Sequence, residues 1–351
     1  MVSYFDSQHP AHRDKLILRP DEIGLLASGI KEKKFITLFA PPGYGKKILL
    51  NKAFAQLKEE SYPVTVVTMD LFNINNSSAL ADLYVKAFKH HVEEYNRDAL
   101  LPIRIDFDNV STALAINLPN LLSSVTDIHF VIYFKEFQNI YNFEDGEKTL
   151  KLMEKELATH KDVAYIVTGE QVNLMKEIFE RRKFFYKINN NITLAPLEKS
   201  ASKAYLRNGF LLCGKDLEDE TGEAIYNTAK GHPHIMNRLA ELCDALAIGY
   251  INKRILRSAI DAYFNESEAS YRYTMSNLTE NQVNFLLAVC DGVQKFSSAD
   301  VLKKYKLNSS ANVFRLKEAM RKKEIVTFDS DDHASIIDPM FELWLKKRYF
   351  A

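Results

Sequence analysis

Residues 35–47 read Phe35-Ile-Thr-Leu-Phe-Ala-Pro-Pro-Gly-Tyr-Gly-Lys-Lys47, an apolar run of strand character that breaks into a Pro/Gly turn and ends on two lysines. Most of the pattern G-x-x-x-x-G-K-[S/T] is present. In that pattern backbone N–H groups wrap phosphates, the lysine reaches the terminal phosphate oxygens and the hydroxyl holds Mg²⁺. The candidate loop comprises Pro42, Gly43, Tyr44, Gly45, Lys46, Lys47 and Ile48. Ala40 stands at the first glycine position, and Lys47 stands at the Ser/Thr position, where an ammonium has donors but no acceptor to give a metal. Phosphate binding and hydrolysis are therefore separate questions for this chain.

Gly-Lys pairs are common, and a Pro-Gly turn with an incidental lysine is the plainer alternative. The flanks favour the loop: residues 31–34 are charged, 35–40 suit a buried parallel strand, and 48–57 carry helical spacing. Further strand-like runs at 64–70, 129–134, 163–168 and 192–194 alternate with helical segments, which predicts a parallel α/β sheet. Beyond residue 198 the strand pattern gives way to amphipathic helices at 201–212, 220–230 and 236–249. Helical segments at 278–292, 298–305 and 310–323 and a hairpin over 325–337 then make a winged helix. The expected domains are an α/β domain over 1–197, a helical lid over 198–275 and a winged helix over 276–351.

With 46 basic and 46 acidic residues the 351-residue chain has no net charge, so whole-chain electrostatics drive it onto neither nucleic acid nor anionic lipid. Cys213, Cys243 and Cys290 lie far apart without His or Cys neighbours at ligand spacing, which predicts structural thiols and no metal site. The first 19 residues are polar and hold His9, His12 and Asp14, and no apolar run approaches the ~18 residues of a membrane span. A cytoplasmic protein without a membrane partner is expected.

The third strand ends on Lys135 and Glu136. Intact ATPases put an Asp there to organise Mg²⁺, often followed by a Glu that polarises the attacking water. Here the Glu remains and the Asp position is Lys135; the alternative is an ordinary solvated Lys-Glu pair at a strand end. Lys47 and Lys135 thus occupy both positions whose oxygens would flank the metal. Two readings stay open. Either the ammonium groups supply the metal's charge, each worth a few kcal/mol at about 4 Å and an effective dielectric of about 20 before desolvation, or the site has lapsed.

Taken in order, the loop, Asp70 after the second strand, Glu136-Phe-Gln138, Ile166-Val-Thr-Gly-Glu170, Gly231-His-Pro233 and Ile336-Ile-Asp-Pro-Met-Phe-Glu-Leu-Trp344 resemble the archaeal-type ATPases. These are P-loop NTPases of the STAND/AAA+ group, and the resemblance carries degenerate Walker A and Walker B motifs. It extends from Arg19-Pro-Asp-Glu22, similar to the family's R-x-x-E entry, to the Asp-Pro…Trp ending. What the resemblance implies is ATP or ADP as ligand, held with or without Mg²⁺. Lys46 matches the phosphate-binding lysine and Glu136 the catalytic glutamate. Thr168 matches a sensor of the γ-phosphate, with a satisfied strand-end hydroxyl as the alternative. Pro233 matches a proline that packs near the base, with a simple helix stop as the alternative. Where relatives carry an Arg near residues 184–187, this chain has Lys187, with Arg181 and Arg182 close by.

The winged helix adds a second class of function. Residues 310–323 carry Arg315, Lys317, Arg321, Lys322 and Lys323, which suit DNA phosphates or base edges. Asp329, Asp331 and Asp332 in the wing oppose that, so a protein-protein or intramolecular role stands beside it. The expected function is a nucleotide-dependent switch with weak or absent hydrolysis; the alternative is a winged-helix DNA-binding or protein-interaction scaffold with a non-functional loop.

Overall fold

The computed structural model describes residues 3–6, 19–97, 105–107 and 110–351. His9, His12 and Asp14 lie outside the described residues. The chain divides into two compact units. One joins Arg19–Pro42 to Lys46–Leu194; the other joins Met1–Leu18, of which 3–6 are described, Gly43–Gly45 and Ala195–Ala351.

The first unit alternates helices and strands: α1 (Pro20–Lys31), β1 (Phe35–Phe39), α2 (Lys46–Glu59), β2 (Thr65–Asp70), α3 (Ser77–Arg97), α4 (Thr112–Ser123), β3 (Phe130–Lys135), α5 (Gly146–Leu157), β4 (Ala164–Gly169), α6 (Val172–Lys176) and β5 (Asn189–Asn191). Pro20 at the first turn and the acidic Asp21 and Glu22 suit the start of α1. The strands form one parallel sheet in the order β2-β3-β4-β1-β5. Strands β1 and β4 are buried along nearly their whole length and are mostly apolar, as suits strands of a parallel sheet covered on both faces. On one face Phe35 stacks on Phe185 with ring centroids 4.8 Å apart, and Phe137 and Phe179 complete an aromatic layer.

Register decides what meets at the carboxyl edge, where ligands of open α/β sheets bind. Phe39 pairs with Gly169, so Ala40 and Glu170 leave the sheet side by side, and Asp70 pairs with Lys135.

The fifth strand departs from expectation. Pairing runs through Asn189–Asn191 rather than residues 192–194. Asparagine is a poor strand former, but the Thr37 hydroxyl lies 2.9 Å from Asn189 Oδ1 and 3.2 Å from Asn191 Oδ1, and Asn190 Nδ2 donates to the Phe35 carbonyl at 3.2 Å. Side-chain hydrogen bonds hold this edge, and Ile192 and Leu194 are buried just beyond it.

The second unit contains α7 (Lys199–Leu212), β6 (Asp216–Leu217), α8 (Asp219–Ala229), α9 (Pro233–Leu246), β7 (Tyr250–Ile251), α10 (Lys253–Ser276), α11 (Glu280–Cys290), α12 (Ala299–Lys304), α13 (Ser310–Lys322), β8 (Val326–Phe328), β9 (Ala334–Ile336) and α14 (Pro339–Trp344). Helix α7 starts on Glu198, which accepts from the N–H groups of Ser200 and Ala201 and is held down to about 2 by its hydrogen bonds to Ser200 and the backbone. Helix α9 begins three residues before the expected 236 because Pro233 occupies its first turn and His232 accepts from Ile235 N–H. It ends at Leu246, and Gly249 belongs to the turn into β7, which pairs with β6 as a short parallel ladder the sequence did not predict. Thr279 and Gln282 form a reciprocal cap for α11.

One continuous core runs through this unit, from Leu206 and Met236 through Phe264 to Phe285, Met340 and Trp344. Phe5 joins it, with its ring centroid 4.6 Å from that of Phe210 and its carbonyl accepting from Asn237. Trp344 is buried and donates to Glu268 of α10 at 2.7 Å.

A buried polar chain braces the first unit beneath β4. Asn117 Nδ2 donates to Glu156 at 2.7 Å, its oxygen lies 2.7 Å from His160 Nε2, and His160 Nδ1 lies 2.5 Å from the Tyr165 hydroxyl. An amide oxygen only accepts, so Nε2 carries the proton and Nδ1 accepts from the phenol. Burial pushes His160 down to about 4 from its ordinary 6.5. A proton is therefore bound more readily by the unfolded chain, and the stability from neutral His160 is complete above pH ~6.5 and lost as pH falls towards ~4, about 3 kcal/mol in all. Urea unfolding at pH 7.5 and 4.5 should show a smaller acid loss for His160→Gln than for wild type; equal losses would contradict this.

Candidate functional site

The β1–α2 loop turns on Gly43 and Gly45, at φ +79° and +83°, a region glycine enters without strain. Lys46 opens α2 and is only 8% exposed. Its Nζ donates to the carbonyls of Ala40 at 2.8 Å and Pro41 at 3.1 Å, and pairs with Glu170 at 3.4 Å. Three acceptors match the three protons of an ammonium. Burial pulls the Lys46 pKa down, and the negative charges of Glu170 and Glu136 oppose it. Pro42 and Lys47 are exposed, and Ile48 is half-buried.

Gly43–Gly45 group with the second unit. The Tyr44 ring meets His232 edge-on with centroids 4.6 Å apart, and a Cβ on Gly43 would come 2.7 Å from His234 Cβ. Pro233 lies between those histidines, buried at the first turn of α9.

At the ends of β2 and β3, Lys135 forms an ion pair with its register partner Asp70. The hydrogen bond holds Asp70 below the usual carboxylate range and raises Lys135. Lys135 is therefore partnered by Asp70, a carboxylate that strand register places beside it.

Glu136 follows in the left-handed region at φ 53° and ψ 43°, a conformation that costs a non-glycine residue about 1 kcal/mol or more. Gln138, fully buried, donates to Glu136 Oε2 at 2.6 Å, while its own Oε1 has no partner. Gly169 makes room for it. A Cβ at 169 would meet Gln138 Oε1 at 2.5 Å and Met175 Sδ at 2.6 Å. Beside Glu136 opens a cleft of about 290 Å³ lined by Phe72, Asn75, Asn139 and Gln171 among others.

Thr168 is buried. Its hydroxyl donates to the Phe134 carbonyl at 3.1 Å and lies 3.4 Å from the Tyr133 hydroxyl. Arg181 and Arg182 pair with Glu177 at 3.3 and 3.0 Å, and Lys187 lies 5.7 Å from the Tyr186 ring centroid.

In the winged helix, Lys317 of α13 is paired with Asp332 of the wing and lies 5.4 and 5.3 Å from the Phe296 and Phe328 ring centroids. Arg321 reaches Asp332 at 3.3 Å and stacks over Phe328 at 4.2 Å. Of the two residues singled out for DNA, Arg315 is exposed and Lys317 is withdrawn into the wing. Asp329 shapes the wing tip by accepting from the N–H groups of Asp331 and His333.

Sequence reading missed the roles of Glu170, Gln138 and Tyr133. Glu170 had a signal, a charged residue directly after an apolar strand, but its partner depends on β4 lying beside β1.

Residues 269–347 match a family described as a probable winged helix domain. No curated protein matches the chain. Among solved structures, the chain is similar to a Walker-type ATPase of Pyrococcus abyssi at 17% identity and TM-score 0.67, covering 98% of this chain and 99% of that one. It is also similar to the ORC2 protein of Aeropyrum pernix. The ADPNP–ADP complexes of that protein align at 12% identity and TM-score 0.59 over 99% and 98% of the two chains, and its ADP form at 12% and 0.53 over 94% and 92%. At these identities the likeness is one of fold: a parallel-sheet α/β P-loop ATPase fold with a C-terminal winged helix. Among the described residues no helix is long and apolar enough to cross a membrane.

The tight seat of Gln138 gives a direct check. Gly169→Ala should destabilise the protein by about 1–3 kcal/mol through overpacking, read as a lower urea midpoint; an unchanged midpoint would show that Gln138 and Met175 shift freely.

Proposed function

We propose that the chain is a cytoplasmic relative of the archaeal-type ATPases of the STAND/AAA+ group, with degenerate Walker A and Walker B motifs, and that it works as an ATP- or ADP-binding switch with weak hydrolysis. One observation carries this reading. A lysine ammonium is kept buried at the start of α2, after a loop whose two glycines hold the turn, although burying a charge is costly unless it is fully partnered. Exposed lysine would serve a plain turn equally well and at less cost.

The case for weak hydrolysis rests on what surrounds Lys46. Lys47 offers a metal no oxygen, and Lys135 is bound to Asp70. Glu136 retains a carboxylate fixed by Gln138, able to orient a water, but a large share of the usual charge stabilisation is missing without a metal cage. Asp70 also constrains any repair: an aspartate placed at 135 would face Asp70 across the register and repel it. Nucleotide binding without Mg²⁺ would rely on Lys46, exposed Lys47 and the loop amides, with Thr168 contributing structure.

For the winged helix, the pairing of Lys317 and Arg321 with Asp332 favours a surface for a protein partner over one for duplex DNA. A steep loss of wild-type duplex binding with added salt would argue the reverse.

The test is a titration of fluorescent ATP and ADP into wild type and Lys46→Ala, in Mg²⁺ and in EDTA. Binding that persists in EDTA and falls at least about tenfold in Lys46→Ala is expected, a loss of about 1.4 kcal/mol or more. No binding in either buffer would leave a winged-helix scaffold with a non-functional loop.

A further inference from the structure

Lys46 has three partners, and they differ in one respect. The carbonyls of Ala40 and Pro41 belong to the loop backbone and cannot leave without remaking the turn. Glu170 is a side chain, 44% exposed, at the longest distance of the three. It arrives there because β4 lies against β1 with Phe39 opposite Gly169, so the next residue of each strand emerges at the same edge. Gly169, wedged against Gln138 and Met175, fixes the backbone from which Glu170 projects.

A phosphate reaching Lys46 thus meets a carboxylate already in place. Two anions cannot share one ammonium at contact without strong mutual repulsion, so the incoming group must displace Glu170, which can swing into water at little cost in burial. We propose that Glu170 is an internal counter-ion that competes with the phosphates of a nucleoside di- or triphosphate for Lys46, and so sets the affinity of the loop. This rests on the nucleotide-binding reading above and adds to it a residue outside the loop motif. The opposite role is a support for the buried ammonium, whose removal would weaken phosphate binding.

Glu170→Gln separates the two, since it keeps shape and hydrogen bonding while removing the charge. ADP and ATP titrated in EDTA should bind Glu170→Gln about tenfold more tightly than wild type. The gain should vanish in the Lys46→Ala background, because competition needs the shared cation. Thermal melts of each variant confirm folding, and Glu170→Ala, lacking the amide, should reproduce the gain. If wild type binds and Glu170→Gln binds equally or more weakly, the counter-ion role is overturned while the nucleotide reading stands. A gain that survives in Lys46→Ala also overturns it, showing a general charge effect. Binding by Glu170→Gln alone would support it in the strongest form, and no binding by any variant would remove both readings.

Discussion

A buried ammonium is the constraint on which the carboxyl edge of the sheet turns. Lys46 cannot stay charged among apolar strands unless each of its protons is received, and the loop meets that need with two of its own carbonyls and a carboxylate from the neighbouring strand. The consequence is a loop shaped around a cation, with Gly43 and Gly45 supplying the turn that brings its carbonyls inward. Around it the charges are disposed in pairs. Lys135 answers Asp70, and Glu136 is tied to Gln138. Among these groups Lys47 is exposed to solvent.

The winged helix packs into the same core as the helices before it, from Leu206 to Trp344, so the C-terminal module is continuous with the helical region. Its basic helix turns two cations towards the wing, where Asp332 receives both and the Phe296 and Phe328 rings lie beside the Lys317 ammonium. Such packing trades an electropositive surface for internal stability.

Much of the fold was legible because parallel strands buried on both faces read as continuous apolar runs, as residues 35–40, 129–134 and 163–168 do. The fifth strand was misplaced because three asparagines carry no apolar signal, and side-chain hydrogen bonds add to their backbone pairing with β1. At the site, the glycines and Lys46 were legible from local spacing. The partners of the lysines were not. Asp70 meets Lys135, and Glu170 meets Lys46, only through strand order and register, which a single sequence leaves open. Thr168 shows the converse: its position at a strand end was correct, and only the structure reveals that its hydroxyl is spent on the Phe134 carbonyl.

The central claim is that the backbone between Ala40 and Lys47 is a working anion cradle, and amide hydrogen exchange across that segment tests it most directly. With saturating ADP, exchange at Gly43 to Ile48 should slow by about tenfold or more as phosphate oxygens engage the N–H groups. Exchange unchanged by ADP would contradict the account, whatever the chain binds elsewhere.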